Sequence, residues 1–200
     1  MADETPPTPP SDPNAGQPAP QQQQQQAPIS ARVPAGVARG VFTTGQVVLD
    51  GPKEFVVDFF QHLTRPHQVV ARVVLTPATM SELITALHTN LDNYTRSFGA
   101  PPPLPLPGPS RTSLQELYDN FKVPDEMLSG VYSNGVLIGH SPSEFFFDFL
   151  TAFYPAAAVS ARVFLPASQA PRFLAALENA YKQHRQKMTP PPPPPAEPLG

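Results

Sequence analysis

GVYSNGVLIGHSPSEFFFDFLTAFYPAAAVSAR, residues 130–162, is the stretch whose reading decides the fold. Laid without a gap over residues 40–72, ninety positions earlier, it coincides at Gly40/Gly130, Val41/Val131, Gly45/Gly135, Pro52/Pro142, Glu54/Glu144, Phe55/Phe145, Asp58/Asp148, Phe59/Phe149, Val69/Val159, Ala71/Ala161 and Arg72/Arg162. The chain reads as a tandem duplication, and the glycines, carboxylates and arginines recur together with the apolar residues.

Outward from this stretch, β-branched and aromatic residues come in short runs: VFTTGQVVL, EFVVDFF and VVARVVL in the first copy, separated by DGPK and QHLTRPHQ. Such runs between turn-forming residues predict three strands in a meander. Phe55, Val57 and Phe59 share one face of the second strand and Val56, Asp58 and Phe60 the other, so that strand is expected at the centre. The first strand is read as continuous, with a bulge or close packing at Gly45 and Gly135, in preference to a tight hairpin turn at Asn134-Gly135.

Met80, Leu83, Ile84, Leu87, Leu91 and Tyr94 fall on one stripe and predict a helix over 79–98, opened by a Thr79/Glu82 capping box and ended by Gly99. The second copy repeats the order, with a helix opening near Ser168, Pro171 in its first turn, and Phe173, Leu174, Leu177 and Tyr181 on its apolar stripe. Between the copies, Ser113 and Glu116 form a second capping box before a short helix carrying Leu114, Leu117, Tyr118 and Phe121.

Twenty-one of the thirty prolines lie in residues 1–30, 100–110 and 189–200, which therefore bury too little apolar surface to offset their ordering entropy. The expected organisation is a Pro/Gln-rich disordered tail (1–35), a first β-β-β-α repeat (36–99), a Pro-rich linker (100–111), a short helix (112–122), a second β-β-β-α repeat (126–188) and a polyproline tail (189–200). The linker and tail are read as spacers rather than polyproline ligands, since no Lys or Arg flanks them at the usual spacing. About sixty residues per copy is marginal for a lone domain. The fold class that follows is α+β, two copies joined as a pseudo-twofold internal dimer with antiparallel sheet on one side and helices packed on one face.

With no cysteine, disulfides, thiolate metal sites and thiol nucleophiles drop out. An acidic start without an apolar run is unlike a signal peptide, and no stretch approaches the ~18 apolar residues of a membrane span, so the expectation is a cytoplasmic protein without membrane contact. The net charge of -3 has the wrong sign for a strong nucleic-acid binder.

Glu54 with Asp58, and Glu144 with Asp148, lie at i and i+4, about 13 Å apart along a strand and too far for paired-carboxylate catalysis. Asp58 is expected to pair with Arg72 and Asp148 with Arg162 on the neighbouring strand, as structural pairs, because a half-buried charge needs a partner. His140 beside Ser141 and Ser143 suggests a hydrolase, but adjacent side chains on an extended turn point apart, and a solvated or partner-contacting histidine is the reading preferred. The other histidines share no metal-ligand spacing. Phe145, Phe147 and Phe149 are placed beneath the helix rather than in a base-stacking platform, because the strands supply only Arg72 and Arg162 as cations.

Gly130, Tyr132, Asn134, His140, Ser141, Ser143, Glu144, Phe145, Asp148, Phe149, Ser160, Arg162, Ala176, Leu177 and Asn179 together resemble an uncharacterised bacterial family, domain of unknown function 3467. The first copy departs from that pattern with Phe42, Thr44, Asp50 and Lys53 in place of Tyr132, Asn134, His140 and Ser143. The resemblance implies no established activity, cofactor or metal, and no catalytic residue. The expected function is a non-enzymatic binding or assembly module for an unidentified protein, contacted through Tyr132, Asn134 and His140, with self-association open. The alternative is a single-stranded nucleic-acid or small-ligand binder using the sheet face.

Overall fold

The computed structural model of the chain describes residues 31–63, 65–105, 114–153 and 156–188. Residues 1–30 of the expected 1–35 tail, the tail after 188, residues 106–111 of the Pro-rich linker, the Ser113 cap, and the side chains of Leu114 and Leu117 lie outside the described residues; the tail expectation is corrected at 31–32, which form a strand. Ten strands, two long helices and a short one follow in order: β1 (Ala31–Arg32), β2 (Val41–Phe42), β3 (Gly45–Asp50), β4 (Phe55–Gln61), β5 (His67–Leu75), α1 (Pro77–Phe98), α2 (Leu114–Asp119), β6 (Phe121–Lys122), β7 (Val131–Ser133), β8 (Gly135–His140), β9 (Glu144–Phe153), β10 (Ala156–Pro166) and α3 (Ala170–Met188).

The fold is α+β with two mixed sheets rather than purely antiparallel ones. In one sheet β3, β4 and β5 form the expected antiparallel meander, with Val48 opposite Val57 and Val57 opposite Val73. The other contains the equivalent β8, β9 and β10, with Ile138 opposite Phe147 and Phe147 opposite Val163. The third strand of each meander is then extended by parallel pairing with the opposite copy. β1 and β2 lie along β10, placing Ala31 opposite Ala157 and Val41 opposite Val163. Reciprocally, β6 and β7 lie along β5, with Phe121 opposite His67 and Val131 opposite Val73. The ninety-residue offset of the sequence converts one set of partners into the other.

The first strand of each copy is therefore not continuous, and this corrects the expectation from sequence. At Thr43-Thr44 and again at Ser133-Asn134 the chain leaves one sheet and enters the other. Thr43 and Ser133 are polar yet fully buried, and the backbone groups at each crossing leave one ladder before joining the next, so they need other partners. Thr43 Oγ1 donates to the carbonyls of Gly45 (2.7 Å) and Phe60 (2.8 Å), and Ser133 Oγ to those of Gly135 (2.8 Å) and Leu150 (3.0 Å). Close packing at the first-copy glycine is present, since a Cβ on Gly45 would lie 2.5 Å from the Phe60 ring. Phe121, assigned to the short helix by periodicity, instead begins β6, because α2 stops at Asp119.

Helix α1 begins two residues earlier than its stripe suggests. Thr76 is the cap, its hydroxyl accepting from the Thr79 amide at 3.2 Å, and Pro77 occupies the first turn where no amide partner is needed. Thr79 is a buried residue inside the helix, so the Thr79/Glu82 box is not used. Gly99 ends the helix at φ 82°, as expected. Ser168 lies in a 3-10 turn, Ala167–Gln169, that leads into α3.

The helices cross to the opposite copies as the arms do: α1 packs along β8 and α3 along β3. Tyr94 on α1 donates to the Pro142 carbonyl at 2.8 Å, and Gln169, just before α3, donates to that of Thr44 at 3.1 Å. Among the described residues the main apolar core is drawn from both copies, with Phe59 against Phe149 (5.8 Å between ring centres) and Phe173 (5.5 Å), and Phe147 against Phe173 (5.4 Å); a smaller cluster joins Phe60, Val69 and Phe121. Phe145, Phe147 and Phe149 are fully buried in it.

Candidate functional site

The parallel arms reach their sheets beside the duplicated Asp and Arg. Asp58 stands opposite Arg72, and Asp148 opposite Arg162, in the antiparallel register. Each guanidinium binds its carboxylate through two parallel hydrogen bonds: Arg72 Nε and Nη2 to Asp58 at 2.7 Å each, Arg162 Nε and Nη2 to Asp148 at 2.6 and 2.7 Å. The remaining Nη1 of Arg72 donates to Leu128 O (3.1 Å), and that of Arg162 to Ala38 O (3.3 Å), both on arms from the opposite copy. These carboxylate hydrogen bonds raise both arginine pKa values despite partial burial.

Gly40 and Gly130, at φ 62° and 65°, let the arms pass over the arginine stems. A Cβ would meet Arg162 Cγ at 2.7 Å in one case and Arg72 Cγ at 2.8 Å in the other, so the recurrence of both glycines has a steric cause. Between the arms lies a largely apolar cleft of about 340 Å³, bordered by Val41, Val131, Ala71, Ala161 and the two arginines.

The two Asp–Arg pairs differ in their surroundings. The Tyr118 hydroxyl, from α2, donates to Asp58 Oδ2. Burial, together with this bond to a carboxylate, pushes the Tyr118 pKa well above that of an ordinary phenol. The offset puts Pro28 where Tyr118 stands, so the first copy has no matching hydroxyl in its sequence for Asp148.

Tyr132, Asn134 and His140 do not converge. Tyr132 is 42% exposed on β7 and stacks nearly parallel on Phe153, itself 61% exposed, with ring centres 6.1 Å apart and planes at 3°. Asn134 braces the same corner: its side-chain amide donates to Ala152 O (3.0 Å) and accepts from Ala152 N (2.7 Å), tying the crossing to the end of β9. His140 lies at the far end of β8, packed by Tyr94, Phe98 and Phe145 with Nδ1 3.3 Å from Asn90 Oδ1. Of the expected solvated or partner-contacting histidine, the fully solvated form is corrected: the helix half-covers the strand end. Ser141 caps the turn, accepting from the amides of Ser143 and Glu144 at 3.2 Å each.

Sequence reasoning missed one polar cluster entirely. Asp50, half-buried at the end of β3 with its side chain 7% exposed, lies 2.7 Å from His184 Nδ1 and 2.8 Å from Lys187 Nζ, both on α3. Burial pushes the Asp50 carboxyl up, but its hydrogen bonds to Lys187 and His184 outweigh this and hold it below the usual 3.8. A carboxyl depressed on folding contributes stability above its unfolded value and loses that contribution as pH falls through the folded one. The urea midpoint should therefore fall as pH drops below about 4, and Asp50→Asn should flatten part of that slope while lowering the midpoint at neutral pH. An unchanged acid slope in the variant would contradict the assignment. The separation of Asp50 from His184 in sequence left no spacing signal to find.

Among the described residues, no three His, Cys, Asp or Glu side chains group as metal ligands, and no helix is long and apolar enough to cross a membrane. No match was found among the curated proteins or the solved structures. A family model described as a protein of unknown function, DUF3467, matches the chain twice, over residues 10–101 and 109–190. The two matched segments are consistent with tandem copies of one domain, each contributing an arm, a meander and a long helix. With most of its length covered in this way, the chain belongs to the DUF3467 family.

Proposed function

We propose that the chain is a non-enzymatic protein-binding module, built as an internal pseudo-twofold dimer of β-β-β-α repeats, and that it engages its partner through the Tyr132–Phe153 corner. The reciprocal arms, helices and Asp–Arg pairs support the pseudo-dimer. The stacked aromatic pair carries the binding reading. Two aromatic rings held parallel, largely in water, and braced by Asn134 match the rigid amphipathic contacts that dominate protein interfaces. His140 is no longer part of the proposed contact, because it packs beneath α1.

The same stack could hold a nucleobase, but both sheet arginines are neutralised by their aspartates. A phosphate-binding groove needs free cations beside the aromatics. The test uses the full chain and a Tyr132→Ala/Phe153→Ala variant, immobilised side by side in native lysate, with bound proteins identified by mass spectrometry. The variant should melt within a few degrees of the original and lose at least one protein retained by it. Identical protein sets would refute the contact, and salt-sensitive binding of single-stranded oligonucleotides, lost in the variant, would replace it with the nucleic-acid reading.

A further inference from the structure

The two long helices are seated at equivalent places by different chemistry. On α1, Tyr94 meets His140 edge-on, ring centres 5.7 Å apart, at the end of β8. On α3, the equivalent residue is His184, which meets Asp50, the equivalent of His140, at 2.7 Å at the end of β3. The buried ring beneath each contact is also equivalent: Phe145 lies 5.3 Å from Tyr94, and Phe55 lies 4.8 Å from His184. Lys187 completes the second set by binding the other Asp50 oxygen.

Each set works only with its own members. Two first halves paired together would press Asp50 against Tyr94 and leave a shielded carboxylate side chain without His184 and Lys187, a costly arrangement. Two second halves would bring His140 to His184 and Lys187 with no carboxylate among them. The inner arms discriminate little, since Val41 on Val163 and Val131 on Val73 are near-identical contacts, whereas the outer ones differ, Ala31 facing Ala157 and Phe121 facing His67.

We propose that Asp50–His184–Lys187 and Tyr94–His140 are pairing determinants: each half of the chain is fitted to the unlike half and disfavours a copy of itself. The surface they define accepts one kind of partner, the complementary half, and keeps the reciprocal exchange within one set of unlike halves. This rests on reading the chain as two paired repeats and is independent of the Tyr132–Phe153 corner.

The test compares four full-length proteins by urea unfolding: the original, Asp50→His, His184→Tyr, and the double variant. His184→Tyr reproduces the contact two first halves would make. The double variant rebuilds at β3 the His–Tyr contact found at β8. Each single change should raise the unfolding constant about tenfold or more, and the double variant should return to within about threefold of the original. If the double variant loses the product of the two single losses, or if the singles match the original, the determinants are refuted. Should a single variant fail to fold, a folded double variant supports the proposal and an unfolded one overturns it. Independent folding of the separated halves would instead strike at the paired-repeat reading beneath it.

Discussion

Residues 31–105 and 114–188, expressed apart, are expected to give unfolded or self-associated material, and to recover a cooperative, 1:1 folded species when mixed. Each piece would keep its meander and helix but lose the arm that borders its third strand, leaving β5 or β10 as an open edge prone to non-native pairing. The larger loss is apolar. Phe59 would part from Phe149 and Phe173, Phe55 from Tyr181, and Phe145 from Tyr94. Re-exposing a buried aromatic costs about 1.5–3 kcal/mol, so a handful exceeds the roughly 5–15 kcal/mol that holds a whole domain. Circular dichroism and sedimentation of each piece, alone and mixed, check this. Two soluble monomers with cooperative melts would overturn the shared core.

Most of the secondary structure was legible because its signals are local. The apolar alternation of β4 and β9, the stripe of α1 and the stop at Gly99 each follow from a few neighbouring residues. The Asp58–Arg72 and Asp148–Arg162 pairings could be anticipated for a similar reason, since a meander places such residues side by side. The exchange of arms could not. Nothing in VFTTGQVVL says that Val41 and Gly45 belong to different sheets, because both halves of the run have strand character. Gly40 and Gly130 recurred visibly, but their meaning depends on an arginine stem from the other copy. Tyr118 and Asp58, and Asp50 and His184, meet only after the long-range fold has formed. His140 illustrates the converse: a turn position suggests an open side chain, and a helix from the other copy half-covers it.

Asp58→Ala is expected to cost about 4 kcal/mol, and Asp148→Ala about 2–3 kcal/mol, by urea unfolding at neutral pH. Both substitutions strand a guanidinium that was bound through two hydrogen bonds, leaving Arg162 the Ala38 carbonyl and Arg72 the Leu128 carbonyl beside the Tyr118 hydroxyl. The ordering follows from the surroundings. The Arg72 side chain is 16% exposed and cannot readily hydrate, whereas Arg162 at 23% has more access to water, which screens and solvates the orphaned charge. Asp58 also accepts from Tyr118, so its removal orphans a second, half-buried donor and loosens α2, while Tyr118→Phe alone should cost only about 1 kcal/mol. If the loss arises from the stranded charge rather than from the pair's own attraction, replacing both members by apolar residues, as in Asp58→Leu/Arg72→Met, should be less harmful than Asp58→Ala. Losses within about 0.5 kcal/mol for both alanine variants would show that the arginines are already solvated. In that case the pairs would not hold the arms, and the two arginines bordering the cleft would be available to a ligand.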